Sequence, residues 1–368
     1  MKTVMGIINL QEDENMLQEI AAKRPLGAVP FAGRYRLIDF SLSSMVNSGI
    51  KNVGILLPNK SRAILDHLRS GKDWDLARKH DGLFYLPTSE AEIAGRTGDI
   101  QSFYRHLDFI EYSSQRYVLV SGSQLVYNMN FENALRFHQN TSADITIIYH
   151  VPEADVADGG TVLQTTENGL VSDLAIHPKV VAGAKASLGV YLMDKRILID
   201  LVKSCFARGG TDFLIDGLMK LGGRYSLYGY QHEGFVAKIN SVTGYYNASM
   251  DILRPEVWRQ LFLNNGLIYT KIKDEAPVKY KRDAKIINSV IANGCVIEGT
   301  VENSIIFRGV KIEKGVHVKN SIIMQKCELG EDVLLENVIC DKNVVITKGK
   351  WLKGAPNYPV VVEKGIVI

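Results

Sequence analysis

Apolar residues in this chain follow two rhythms, and the change between them falls near Pro255. Before it, short continuous apolar runs alternate with stretches of helical period. Lys2 to Leu10 (KTVMGIINL), Asn52 to Pro58 (NVGILLP), Arg116 to Ser121 (RYVLVS) and Ala143 to Pro152 (with TIIYHVP at its core) read as strands of the kind a parallel sheet buries. Leu37, Phe40, Leu42, Met45 and Val46 recur at a rough helical spacing, and Gly49 closes that helix. Upstream, Pro25 and Pro30 forbid a helix up to Phe31, so this segment should run extended to a turn at Gly33. Further helices are expected from Ser61 to Gly71, from Gln101 to Ser114 and over Tyr245 to Leu253.

Beyond Arg254-Pro255 the texture changes. A connecting segment, 255–285, leads into a repeat visible by eye: Asn288-Ser289-Val290-Ile291, Asn303-Ser304-Ile305-Ile306, Asn320-Ser321-Ile322-Ile323 and Asn337-Val338-Ile339-Cys340. The spacings of 15, 17 and 17 residues fit coils built from three short strands. Within coils, aliphatics return about every sixth residue, as at Ile306, Ile312 and Val318. One coil cannot bury its apolar face alone, so the coils must stack as a parallel β-helix, and such stacks often pack between subunits.

Composition narrows the class without naming it. A chain of 368 residues has room for two buried cores. The balance of 43 basic against 40 acidic residues, +3, is too small to argue for nucleic acid or a membrane surface. No apolar run reaches the roughly 18 residues that span a bilayer, and the N-terminus has no signal-peptide pattern. Cys205, Cys295, Cys327 and Cys340 lack zinc spacing, and reduced thiols in a cytoplasmic protein are the expectation.

The residues from Arg24 to Ile50, RPLGAVPFAGRYRLIDFSLSSMVNSGI, mass Arg34, Tyr35, Arg36 and Asp39 where loop meets helix. This stretch resembles the bacterial ADP-glucose pyrophosphorylases (glucose-1-phosphate adenylyltransferases), which carry a segment close to A-K-P-A-V-P-F-G-G-x-Y-R-I-I-D-F. The match is close from Ala28 to Ile50, but Leu26-Gly27 stand where the family has Lys-Pro. The resemblance extends from Met1 to about Thr347. It implies an α/β nucleotidyltransferase-like, Rossmann-like domain with a mixed, mostly parallel sheet over 1–254. A connecting segment over 255–285 and a C-terminal left-handed parallel β-helix of hexapeptide repeats over 286–368 complete it.

The departures from that family fall where its chemistry lies. After the first strand the family has A-G-G-x-G-x-R-L, whose glycines let backbone N–H groups approach phosphate. Here Gln11 to Ile20 has no glycine and four carboxylates, Glu12, Asp13, Glu14 and Glu19, which also suit a solvated helix start. The family's two magnesium-holding aspartates align with Ser123 and Lys238, and neither is a hard anionic ligand. Its F-x-E-K-P, which grips the sugar phosphate, aligns with Leu174, Ile176, His177 and Pro178. Gly98 and Asp99 within Gly95 to Gln101, Gly122, Ser187 and Gly189 of SLGVY, and Asp212 before Phe213 match the nucleotide and sugar pocket residue by residue.

Nucleotidyl transfer is mostly positioning and charge neutralisation, so losses at several such places together imply a retained fold without retained catalysis. The resemblance then points to the companion, D-type branch of the family: a regulatory, catalytically impaired subunit that assembles with the catalytic subunit, in a mixed tetramer. No bound cofactor is expected, Mg²⁺ belonging to the catalytic partner. Arg24, Arg34, Arg36, His177 and Lys238 are candidate contacts for a sugar-phosphate or nucleotide effector. Two rivals stand beside this reading. One is a slow nucleotidyltransferase whose Lys23, Arg24, Arg34 and Arg36 hold phosphates; the other is a sugar-phosphate sensor reporting to a partner. A bland role for Arg36 and Asp39 is an exposed ion pair.

Overall fold

The structure, a computed structural model, describes residues 1–11, 17–88, 98–156 and 159–368. The expectations on Glu12, Asp13, Glu14 and Gly95 lie outside these residues. By its internal contacts the chain divides into two compact units. The first gathers 1–12, 40–236 and 265–269; the second gathers 13–39, 237–264 and 270–368.

The first unit is built on a nine-stranded sheet. Its main path runs 171–177, 160–165, 185–194, 117–122, 4–9, 52–56 and 82–86, with 145–150 pairing both 185–194 and 227–231. Strands 4–9, 52–56, 82–86 and 117–122 are parallel neighbours, and Lys185–Asp194 runs antiparallel to Tyr117–Gly122 and Ile145–His150. The sheet is therefore mixed. Val4, Met5, Ile7 and Ile8 are all buried, as a strand inside a covered sheet requires. The helix Leu37–Asn47 has the expected place, and Gly49, at φ +80°, ends it in the left-handed conformation that glycine adopts without strain. The run from Gln101 is two helices, Asp99–Arg105 and Leu107–Tyr112, interrupted at His106.

The second unit is a left-handed parallel β-helix together with the chain segments that pack on it. Three five-stranded parallel sheets form its faces, one of them running 290–291, 305–306, 322–323, 338–340 and 360–362. Ile297, Val301, Ile306, Ile312, Val318, Ile323 and Leu335 fill its core. The Asn-Ser repeat has a physical reason. Asn288, Asn303, Asn320 and Asn337 turn each coil at φ between +40° and +53°, a conformation asparagine tolerates better than most residues. The following serines form a ladder: Ser289 Oγ accepts the Ser304 N–H at 3.1 Å, Ser304 Oγ that of Ser321 at 3.0 Å, and Ser321 Oγ that of Val338 at 3.1 Å. Each hydroxyl donates to a carbonyl two residues back, so the buried corner leaves neither group unpaired.

The proline-flanked stretch belongs to this second unit. It is not wholly extended: Leu26–Ala28 form one 3₁₀ turn, closed by the Val29 N–H to Leu26 carbonyl at 2.9 Å. Pro25 stands just before that turn, where its missing N–H costs nothing; the prolines exclude a helix interior, not a single turn. Pro30–Phe31 then pair with Tyr35–Arg36 around Ala32 and Gly33, and a Cβ on Gly33 would come within 3.3 Å of Val290. Tyr245, on helix Val242–Asp251, donates to the Pro30 carbonyl at 2.7 Å, while Tyr246 donates to Asn320's carbonyl at 2.7 Å. The connecting segment opens with a helix, Pro255–Phe262, which has Pro255 in its first turn. Among the described residues, no helix is long and apolar enough to cross a membrane.

Candidate functional site

In the first unit, the end of strand Val4–Asn9 meets two later segments. Asn9 Nδ2 donates to Asp99 Oδ2 at 3.0 Å, and the Phe213 N–H donates to Asp99 Oδ1 at 2.7 Å. Gly98 precedes Asp99 because a Cβ there would fall 2.2 Å from the Thr211 carbonyl oxygen. Asp212 caps the next helical segment, accepting the Ile215 N–H at 2.6 Å. Burial pushes the Asp99 carboxyl up to about 7; the Phe213 N–H opposes this and the charge on Asp212 adds to it. The Tyr191 hydroxyl, raised by burial, hydrogen-bonds with Ser187 and feels both Asp99 and Asp212. Three of the residues matched in the sequence, Asp99, Ser187 and Asp212, thus act on one hydroxyl, while Gly98 lies beside Asp99 against Thr211.

The others are placed as follows. Gly189 makes a bulge at φ +66° and its N–H donates to Ser187 Oγ at 3.1 Å. Gly122 ends its strand, its carbonyl accepting from Ser41 Oγ at 2.9 Å. Ser123 is fully buried. His177 is exposed at the end of Val171–His177. Lys238 lies half-buried on the short strand Val236–Lys238. A divalent magnesium needs hard, anionic oxygen ligands, and a buried serine hydroxyl and an ammonium at the two family positions do not fit it. Among the described residues, no group of three or more His, Cys, Asp or Glu could hold a metal.

A denser collection of charge lies within the second unit. Successive coils present Asn293, Arg308, Gln325 and Lys342 as one column, each carbonyl accepting the N–H of the residue that follows its equivalent in the next coil. The column before it holds Ala292, Phe307, Met324 and Asp341, the last an acid in a buried apolar row. Asp341 forms a buried ion pair with Arg24. Arg24 and Arg308 are only 5% and 7% exposed, yet Arg24 Nη1 and Arg308 Nε have no hydrogen-bond partner among the described residues. Burial holds Arg308 below its ordinary range, with Arg34 adding to this, while Glu275, Asp39 and Tyr35 oppose it. Lys273 is lowered by partial desolvation and by Arg308, Arg36 and Lys271.

Six cations, Arg24, Arg34, Arg36, Lys273, Arg308 and Lys342, therefore act on one another here. Buried guanidinium N–H groups without acceptors are costly, and an oxyanion supplies what they lack. Of the residues singled out in the sequence, Arg24, Arg34 and Arg36 come together in this cluster. Lys273, Arg308 and Lys342 were missed. Asp39 does not read as a mere surface partner either. It is fully buried, and its Oδ2 accepts the Arg36 N–H at 3.0 Å, as the third residue of a capping box does.

A mixed sheet joined in one chain to a hexapeptide β-helix is the architecture of a sugar-nucleotide transferase. The family described as nucleotidyl transferase matches residues 16–254, and the GlmU-like, C-terminal hexapeptide family matches 275–354. The chain belongs to the nucleotidyl transferase family, in its ADP-glucose pyrophosphorylase branch. It is 39% identical over 365 residues to the glycogen biosynthesis protein GlgD of Bacillus subtilis, covering 99% of this chain and 96% of that one. It is 40% identical over 366 residues to GlgD of Geobacillus stearothermophilus, covering 99% and 97%. To the glucose-1-phosphate adenylyltransferase of Bacillus mycoides it is 31% identical over 341 residues, covering 91% and 90%.

Proposed function

We propose that this chain is a regulatory, catalytically impaired subunit of glucose-1-phosphate adenylyltransferase. It assembles with the catalytic subunit, in a mixed tetramer in the cytoplasm, and promotes ADP-glucose synthesis for glycogen. The similarity to proteins named for glycogen biosynthesis supports the process. One observation carries the rest: the carboxylate positions of the family's metal site hold a buried serine and a lysine, while a cationic cluster stands in the second unit. A chain that keeps its framework and a cationic cluster but lacks metal ligands is suited to sensing and to assembly. Its effector is a phosphorylated sugar or nucleotide, held by Arg24, Arg36, Arg308 and their neighbours. No metal is required in this chain, Mg²⁺ serving the catalytic partner.

The test is an assay of ADP-glucose formation from ATP and glucose 1-phosphate by the purified chain, by a catalytic subunit, and by the two together. Negligible turnover alone, with a raised rate in the mixture, is expected. Turnover alone at the level of the catalytic subunit would return the chain to the enzymes. The specific observation favouring that second reading is the pair Asp99 and Asp212, two carboxylates kept close together in the first unit.

A further inference from the structure

One row of coil corners, wholly within the second unit, has a short member. The corners are 281–284, 298–299, 313–316, 330–333 and 347–350. Strands Val296–Ile297 and Thr300–Glu302 are thus joined by Glu298 and Gly299 alone, where the coils on either side use four residues. The long corners bond one another by one rule: the third residue donates its N–H to the carbonyl of the second residue in the preceding corner. Asp332 donates to Lys314 at 3.1 Å, and Gly349 to Glu331 at 2.9 Å. By that rule the Gly315 N–H faces a residue that the short corner lacks, and the Arg282 carbonyl faces the same gap from the other side. Among the described residues, neither group has a hydrogen-bond partner.

The missing pair leaves a slot. Neighbouring coils stand about 4.8 Å apart, so corners 281–284 and 313–316 are about 9.6 Å apart, the room of one extended chain bonded to both. A cavity of about 700 Å³ opens there. Lys281 Nζ, 3.5 Å from Glu313, and Lys314 Nζ, 3.8 Å from Asp283, cross the gap, and pairs so long and exposed hold little. Of the other acids lining the cavity, Glu298 is held by Lys281 at 2.7 Å and Glu331 by Lys348 at 2.6 Å. Among the described residues, Asp332 forms no ion pair, and neither do Arg282 and Lys285, so cations are in excess. A small anion would use those cations and leave the Arg282 carbonyl unmatched; a peptide group matches donor and acceptor together. We propose that the slot takes an extended segment of the catalytic subunit, which rests on the assembly reading given above. That segment donates an N–H to the Arg282 carbonyl, accepts the Gly315 N–H, and sets an acidic side chain against Arg282 and Lys285.

Insertion of Lys-Gly between Glu298 and Gly299 copies corner 313–316 and fills the slot from within the chain. Binding titrations of the full chain against the catalytic subunit, with hydrogen exchange on each mixture, test the proposal. In the native complex the Gly315 amide should exchange more slowly than in the free chain. The filled chain should show a slow Gly315 amide even alone, and bind the catalytic subunit at least about tenfold more weakly. The double variant Arg282→Glu, Lys285→Glu, which leaves the coil interior untouched, should weaken binding to a similar degree, and it serves if the insertion fails to fold. Binding of native strength by the folded filled chain or by the charge-reversed chain, or an unchanged Gly315 amide in the native complex, overturns the proposal and leaves assembly standing. Absence of any association between the native chain and the catalytic subunit overturns the assembly reading, and the proposal with it.

Discussion

Arg24 and Asp341 are 317 residues apart in the chain and form a buried ion pair within the second unit. The pair fixes the start of the proline-flanked stretch to the fourth repeat of the β-helix, and it gives Arg24 a reason to be buried. Removing one member leaves the other as an uncompensated charge. Asp341→Asn should therefore lower unfolding stability by roughly 3–5 kcal/mol. The double variant Arg24→Met, Asp341→Leu should recover most of that loss, because apolar groups of similar volume satisfy each other. Denaturant midpoints for the three chains check it. A double variant no more stable than the single one would show that the pair is not the source of the loss.

The serine ladder makes a second prediction. Ser321 Oγ accepts the Val338 N–H, and Ser321→Ala leaves that buried donor without a partner. A cost of about 1–3 kcal/mol is expected. Hydrogen exchange should show faster exchange at Val338 while the sheet in the first unit keeps its protection.

Asp99 sets a pH dependence in the first unit. Its folded pKa, about 7, lies above its unfolded value, so the native state holds this proton more tightly. The sign follows: stability is highest below the ordinary carboxylate pKa, declines as pH rises toward 7, and levels off above it. Each pKa unit corresponds to about 1.4 kcal/mol at most. Asp99→Asn should flatten this decline, as read from thermal midpoints across the range. An unchanged slope in that variant would assign the decline to other groups.

Anion binding at the cluster should need no metal. Arg308→Ala should weaken sulfate binding about 10–100-fold, the worth of one charge-assisted hydrogen bond. Addition of a chelator should leave the native affinity unchanged. Binding that disappears with the chelator would place a cation in the site.

The β-helix was legible because each corner makes the same local demand, a left-handed turn and a buried hydroxyl, and so repeats the same letters. The alternating strands were legible for a similar reason, since burial on both faces writes continuous apolar runs. Arg308, Lys342 and Lys273 were not legible as partners of Arg24. Stacking the coils decides which corner residues form a column, and nothing local to Lys342 records that Arg24 is near it. One trace was present. Asp341 follows Cys340 at the position where earlier repeats have Ala292, Phe307 and Met324, and a carboxylate in an apolar row demands a cation. Similarly, Leu26-Gly27 broke the family pattern, but only the folded chain shows that they close a turn.

The serine ladder also limits how descendants of this chain can vary in length. A bond from one coil to the next requires Ser304 beneath Ser321 and Ser321 beneath Val338. Loss of a single residue between them would slide every later aliphatic off the interior and strand the hydroxyls. Loss of a whole 17-residue coil, from Ser304 through Asn320, brings Ser321 onto Ser289 and restores the stack. A whole turn can thus be lost without breaking the ladder, while the two-residue difference between the 15- and 17-residue coils falls at another corner, 298–299 against 313–316.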